Sequence, residues 1–189
     1  ISDCLVGSEM CIRDSKSYSY FFPYGYNKLR KNALSPGTLS LERHRLLWIF
    51  LEKETDFFNA KNKILHIAPE QCFYKSFKKN FESYTTCDLN SPIAEIKADV
   101  CNLPFDENEF DFVLCNHVLE HVYDDEKAMK EIYRVLKHEG KAIIQVPVDN
   151  TLEKTIDGRD ISDQNLRNKL FGQYDHLRIY GTDYYDKLI

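Results

Sequence analysis

The sequence predicts an α/β fold: a three-layer sandwich on a mostly parallel sheet, preceded by a small N-terminal lobe. Three observations carry that prediction. Short apolar runs recur from Lys63 onward, of the length and composition of strands buried on both faces. Segments with helical periodicity separate those runs, and such alternation calls for right-handed crossovers between parallel strands. Before Lys63 the alternation is absent, so residues 1–60 are expected to form the lobe and residues 61–189 the α/β domain.

Taken in order, residues 1–20 show no clean periodicity, and CLVGSEMCIRDS, Cys4 to Ser15, resembles a translated sequencing adapter. About the first 15 residues are therefore not read as part of the fold. Pro23, Gly25, Pro36 and Gly37 mark turns. A helix is expected from Ser40, with Ser40 as its cap and Leu46, Leu47, Ile49, Phe50 and Leu51 crowding one side around Trp48. Arg43 stands where a capping box places Glu, so no box is expected. The aromatic residues Tyr18, Tyr20, Phe21, Phe22, Tyr24 and Tyr26 are expected to form the lobe's core.

From Lys63, KILHIA reads as the first strand of the sheet, FYKSFKKNF as a helix, YTTCDL as a second strand and EIKADV as a short third. FDFVLCNHV is a fourth strand, and DDEKAMKEIYRVLK an amphipathic helix with Ala128, Met129, Ile132, Tyr133, Val135 and Leu136 at helical spacing. Gly140 reads as the stop signal just past that helix, before the fifth strand GKAIIQVPV. A polar stretch follows, and a last helix is expected to begin at Gly181-Thr182-Asp183.

Composition narrows the function classes. Hydrophobic residues are 43% and charged residues 29% of the 189, an ordinary globular balance. No apolar run is long enough for a membrane-spanning helix, so no membrane span is expected. With 25 Lys+Arg against 30 Asp+Glu, a net charge of -5 disfavours holding nucleic acid by its phosphates, although Lys28 to Arg45 is locally basic. Six cysteines without a CxxC read as reduced thiols, buried in the fold, in a cytoplasmic protein.

Ligands of a doubly wound sheet bind beyond the carboxyl ends of its strands. The loop after the first sheet strand, HIAPEQ, has no glycine; small Ala68 and rigid Pro69 suit a ligand without phosphates better than a dinucleotide. Asp88, ending the second strand, is placed to accept two ribose hydroxyls. In ADVCNLPF, Asp99 is a candidate acceptor for an adenine amino group and Val100 a backbone donor. Asn116 ends the fourth strand.

The run KADVCNLPFDENEFDFVLCNHVLEHVYDDEKAMKEIYRVLKHEGKAIIQVP resembles a class I S-adenosylmethionine-dependent methyltransferase of the small-molecule type, and the likeness extends over roughly residues 64–189. LSLERHRLLWIFL and FGQYDHLRIYG are similar to a bacterial subgroup of unestablished substrate. The resemblance implies a Rossmann-like fold with S-adenosyl-L-methionine as cofactor. Ala68 and Glu70 would border the methionine part, Asp88 would hold ribose, Asp99 and Val100 adenine, and Asn116 and His117 would close the pocket. The family's first motif has an acidic residue and a Gly-x-Gly loop; this chain has His66-Ile67-Ala68-Pro69-Glu70. The family's sheet has further antiparallel strands that this sequence does not reach, so the domain is expected to be C-terminally incomplete.

The function expected is methyl transfer to an O, N or C nucleophile of a small molecule. His176 and His117 are the candidate proton acceptors, with Asp149 behind them. Asp175, His176, Arg178 and Tyr180 lie close together in GQYDHLRIY, where Arg178 would clamp an anionic substrate beside Tyr180, or the segment is a salt-bridged link. Arg45, in LERHR, belongs to a basic lid or pairs with Glu42 within its helix. His117, Glu120 and His121 match the H-x-x-E-H spacing of inverted zinc peptidases. They follow a strand directly, and a third ligand would have to come from Asp149, Glu153 or His176, so no metal is expected and a zinc hydrolase is the lesser reading. The rival from another class is a non-catalytic binding or structural protein with the methyltransferase fold.

Overall fold

The computed structural model describes residues 20–24 and 29–188. Among them run β1 (Phe22–Tyr24), β2 (Arg30–Leu34), α1 (Glu42–Lys53), β3 (Lys63–Ile67), α2 (Gln71–Asn80), β4 (Ser83–Asp88), β5 (Ile96–Lys97) and β6 (Phe110–Asn116). A 3-10 turn (Leu119–His121), α3 (Asp125–Val135), β7 (Leu136–Gln145), β8 (Ile156–Asp157), α4 (Gln164–Phe171), β9 (Arg178–Ile179) and α5 (Tyr184–Lys187) follow. The described residues up to Asn62, with Glu70–Glu82, form one compact unit; Lys63–Pro69 and the residues from Ser83 form another.

The first unit is organised by aromatic packing. The Trp48 ring lies 5.7 Å from Phe77, Phe77 5.2 Å from Phe73, and Phe57 5.1 Å from Phe81. Of the described aromatics expected as the lobe's core, one is buried and three are not. Phe21 is buried, but Tyr20, Phe22 and Tyr24 are exposed, and Tyr18 and Tyr26, like Cys4 and Cys11, lie outside the described residues. Helix α1 buries His44, Arg45, Leu47, Trp48 and Leu51, whereas Leu46 and Phe50 face outward. At about 100° per residue, positions two away from Trp48 lie about 200° around the helix, so a run of consecutive apolar residues cannot share one face.

The cap of α1 also departs from expectation. Leu41 is the N-cap, and its N–H donates to Nδ1 of His44 at 3.0 Å, so a histidine fills the role of the box's Glu. Ser40 instead accepts a hydroxyl bond from Thr38 at 2.8 Å. Arg45 is no lid: buried, it donates to the carbonyls of Ala33 and Ser40 at 3.2 and 2.8 Å and lies 4.8 Å over the Phe21 ring. Glu42 pairs with Arg30 at 3.0 Å rather than with Arg45.

The second unit holds the α/β Rossmann-like sheet, of order β5-β4-β3-β6-β7 and parallel throughout. The chain fills one side of β3 with β4 and β5, then crosses to place β6 and β7 on the other. The order therefore reverses between β3 and β6, and the adjoining strand ends flank a switch point. Its core joins Leu65, Ile67, Val113 and Cys115 of the central strands to Ala128, Ile132 and Val135 of α3. Asp124 caps α3 by accepting from Lys127 N–H at 2.9 Å. Tyr133, expected on the apolar face, is 81% exposed.

Helix α3 ends at Val135 and β7 begins at the next residue, with no loop. The left-handed position is Glu139, at φ 67, not Gly140. Gly140 is needed for close approach instead: a Cβ there would sit 2.9 Å from the Lys137 carbonyl oxygen and 3.1 Å from that of Phe110. Register slips here, from Phe110 opposite Leu136 to Phe112 opposite Lys141.

Past β7, the stretch read as polar contains α4, capped by Asp163 and closed by Gly172 at φ 84. It also supplies β8, which pairs antiparallel with β9. The last helix is a single turn after Asp183, and its Tyr184 hydroxyl donates to the Ile144 carbonyl at 3.2 Å. No helix among the described residues is long and apolar enough to cross a membrane.

Candidate functional site

The strand order brings the loops after β3, β4, β5 and β6 to one edge of the sheet, and these loops carry most of the residues singled out by sequence. After β3, Ala68 adopts φ 52 while its N–H donates to the Cys87 carbonyl at 2.9 Å. The loop thus takes a left-handed turn without a glycine, at a conformational cost of about 1–2 kcal/mol. Asp88 ends β4, and its Oδ1 accepts from the N–H groups of Asn90 and Ser91 at 2.7 and 2.6 Å. Those bonds fix the carboxylate and leave Oδ2 to accept from a ligand.

Asp99 closes a turn by accepting from Cys101 N–H at 2.8 Å, and Val100 beside it is buried. Asn116 is buried at the end of β6. His117 follows at φ 54, with its N–H on the Gln145 carbonyl at 2.7 Å. Glu70, grouped with these residues by the resemblance, belongs to the other compact unit, precedes α2 and pairs with His44 Nε2 at 3.0 Å.

The residue that sequence reasoning undervalued is Glu120. It is 1% exposed in the 3-10 turn, and its Oε1 lies 3.2 Å from Nδ1 of the one-third exposed His117. Asp149, expected behind the histidines, instead accepts from the backbone and hydroxyl of Thr151 at 2.9 and 2.7 Å. The Thr151 hydroxyl and then its N–H hold the Asp149 carboxyl below the usual carboxylate range. The spacing of His117 and Glu120 was visible in the sequence; that Glu120 is buried was not.

His176 is buried, with Nδ1 2.9 Å from the Phe171 carbonyl and its ring edge-to-face with His121 at 4.8 Å. Burial, then the neighbouring His121, lowers its pKa below the ordinary histidine value. His121 Nδ1 lies 3.4 Å from both the carbonyl and the carboxylate of Asp175.

Arg178 and Tyr180, expected to meet substrate, are built into the fold. The Arg178 guanidinium is fully buried and donates to the carbonyls of Leu119, Val122 and Tyr123. It thereby ties β9 to the turn after β6. The Tyr180 hydroxyl donates to Asp125 Oδ2 at 2.8 Å, and burial, then Asp125, drives its pKa upward. The sequence showed the charges of this segment but not which way they face.

Cys72, Cys87, Cys101 and Cys115 are free thiols; Cys87 and Cys115 are buried, while Cys72 and Cys101 are half-buried. Burial first, then Asp88, pushes Cys87 up to about 12. Desolvation followed by Glu70 does the same to Cys72, up to about 12. These thiols are poor nucleophiles.

The arrangement fits a nucleoside-bearing ligand: a fixed carboxylate ends β4, a turn carboxylate follows β5, and a tight turn lies at the sheet's switch point. Residues 58–144 match the family model described as a methyltransferase domain. A 2-phytyl-1,4-naphthoquinone methyltransferase of Nostoc punctiforme is 46% identical over 52 residues, 28% of this chain and 23% of the relative. A demethylmenaquinone methyltransferase of Staphylococcus carnosus is 43% identical over 53 residues, 28% of this chain and 22% of that protein. The chain thus spans about a quarter of the length of the curated relatives it matches.

Among solved structures, the YcgJ protein of Bacillus subtilis superposes with a TM-score of 0.57 at 17% identity, covering 77% of this chain and 66% of that one. The cyclase SpnF does so at 0.60 and 16% identity, covering 82% and 61%. From its sheet order, the matched domain and these superpositions, the chain has the class I S-adenosylmethionine-dependent methyltransferase fold.

Proposed function

We propose that the protein transfers a methyl group from S-adenosylmethionine to an O, N or C nucleophile of a small molecule. The observation that carries this reading is the Asp88 carboxylate, locked by two backbone N–H groups at the end of β4. A ribose diol offers the two hydroxyl donors that such a fixed anion prefers. Asp99 and Val100 would take the adenine edge, and the Ala68 turn the methionine portion. When bound, the cofactor supplies a methyl group already activated on a sulfonium.

The protein's own part is then to bind, orient and, for an O or N acceptor, remove a proton. His117 is the residue we assign to proton removal. Its Nδ1–H donating to the buried Glu120 would keep Nε2 as the free base. Asp149 and His176 have other partners and are not needed for that step. The quinone methyltransferases among the relatives support a small, ring-bearing acceptor, and the free thiols support a reducing, cytoplasmic setting.

Calorimetric titration with S-adenosylhomocysteine, with Asp88→Ala as control, tests the cofactor. Micromolar binding lost in the variant is expected, and no binding to the unaltered chain would sink the proposal. A methyltransferase-fold protein that binds without turnover is the second reading, favoured by the glycine-free loop at Ala68. Cofactor binding with no methylated product from a panel of phenols, quinols and amines would select it.

A further inference from the structure

We propose that Glu120, His121 and His176 form a binding site for a borderline divalent cation of the zinc type. One donor atom from each of the three lies within 4.8 Å of the others. A tetrahedral ion with bonds near 2.1 Å holds its ligand atoms about 3.4 Å apart, a closure within reach of side-chain rotation. Two imidazoles and one carboxylate, with a fourth position left to water, is a donor set that suits zinc better than magnesium or calcium.

The polar partners of each residue are already disposed for this role. His176 presents Nδ1 to the Phe171 carbonyl at 2.9 Å, and His121 presents Nδ1 to the Asp175 backbone and carboxylate at 3.4 Å. An Nδ1–H donated to such an acceptor leaves Nε2 as the lone pair a metal takes, and the acceptor orients the ring. Glu120 is 1% exposed; His117 holds its Oε1, and its Oε2 is buried with no hydrogen-bond partner. A buried carboxylate oxygen without a donor is costly, and a cation satisfies it.

The assignment differs from what the H-x-x-E-H spacing suggests. That motif needs an α-helix to bring its two histidines onto one face, but only Leu119–His121 is helical here, and as a 3-10 turn. His117 therefore braces Glu120, and the second histidine comes from 55 residues beyond His121. The ion would pin the segment before β9 to the turn after β6, and the one-third exposed His121 marks its route of entry.

The test uses the tag-free full chain, freed of metal by chelator dialysis and titrated calorimetrically with zinc chloride. Cobalt chloride with visible absorption reports coordination geometry. One zinc per chain and tetrahedral cobalt bands are expected. Affinity should fall about 100-fold in both His121→Asn and His176→Gln, with circular dichroism confirming that each variant is folded. Because His121 is the most exposed ligand, its variant is the one least exposed to a folding failure. Absence of stoichiometric zinc binding would overturn the proposal, as would equal binding by folded His121→Asn, which would put the ion at surface carboxylates or thiols instead.

Discussion

The hydroxyl of Tyr180 donates to the carboxylate of Asp125 at 2.8 Å, joining the first residue of α3 to the segment after β9 across 55 residues of sequence. Both side chains are buried, and Arg178 stands 3.7 Å from the other oxygen of the same carboxylate. In Tyr180→Phe, Asp125 Oδ2 loses its donor while remaining buried. The expected loss is about 1–2 kcal/mol, at the lower part of the range for a stranded acceptor because Arg178 still compensates the charge. Urea unfolding of the two proteins measures it; a variant as stable as the parent would mean that water replaces the hydroxyl.

Ala68→Gly should stabilise. The left-handed turn at φ 52 costs alanine about 1–2 kcal/mol, whereas glycine adopts it freely but loses about 0.5–1 kcal/mol in chain entropy. The net gain is about 0.5–1 kcal/mol, read as a higher urea midpoint at unchanged slope. A lower midpoint would show that the Ala68 methyl group contributes packing that outweighs the strain.

Asp88→Asn keeps an oxygen for the Asn90 and Ser91 N–H groups but removes the charge. Affinity for S-adenosylhomocysteine is expected to fall about 10- to 100-fold with little change in thermal midpoint, because charge-assisted bonds to hydroxyls are lost while the local turn persists. Undiminished affinity would move the ribose contact elsewhere.

Gly181→Ala would place a Cβ 2.6 Å from the backbone carbon of Lys154 and 2.8 Å from the Leu152 carbonyl oxygen. Backbone cannot swing aside as a side chain can, so about 1–3 kcal/mol of destabilisation is expected in thermal or urea unfolding. A neutral result would mean that the 152–154 segment shifts without loss.

Asp157 gives stability a dependence on acid. The Arg159 guanidinium is the main cause of a carboxyl pKa lowered from 3.8 to about 2, with Arg178 adding and burial opposing. A depressed folded pKa stabilises above the unfolded value, so the contribution is complete above pH 3.8 and is lost as pH falls toward 2. The side chain is 37% exposed, and solvent screening keeps the effect small. The stability gap between parent and Asp157→Asn should therefore narrow on acidification over that window; a gap independent of pH would contradict the pairing.

Much of the sheet was legible because its strands are self-contained signals. Lys63–Ile67 and Phe110–Asn116 are largely apolar runs and Ser83–Asp88 carries the aromatic and β-branched residues Tyr84, Thr85 and Thr86, and each forms where the pattern indicates. Helix α4 was less visible. Its Asp163 cap and Gly172 stop are present in the sequence, but between them Gln164–Phe171 buries only Phe171, leaving almost no apolar periodicity to detect. The Leu136 boundary was missed for a different reason: the helical pattern of α3 continues in sequence past the point where pairing with Phe110 captures the chain into β7.

The sequence by itself determined the fold class, the strand runs and the loop positions of Asp88, Asp99, Asn116 and His117, because these depend on local periodicity and chain order. The tertiary structure decided what the charged residues of the C-terminal segment do. Arg178 could as well have clamped a substrate as bonded to the carbonyls of Leu119, Val122 and Tyr123, and His176 could as well have met Asp149 as His121. A charge in a sequence carries no record of its burial or partner. Those are set only when segments more than 50 residues apart pack together, and here that packing buries Glu120, turns Tyr180 onto Asp125 and gathers two histidines beside one carboxylate.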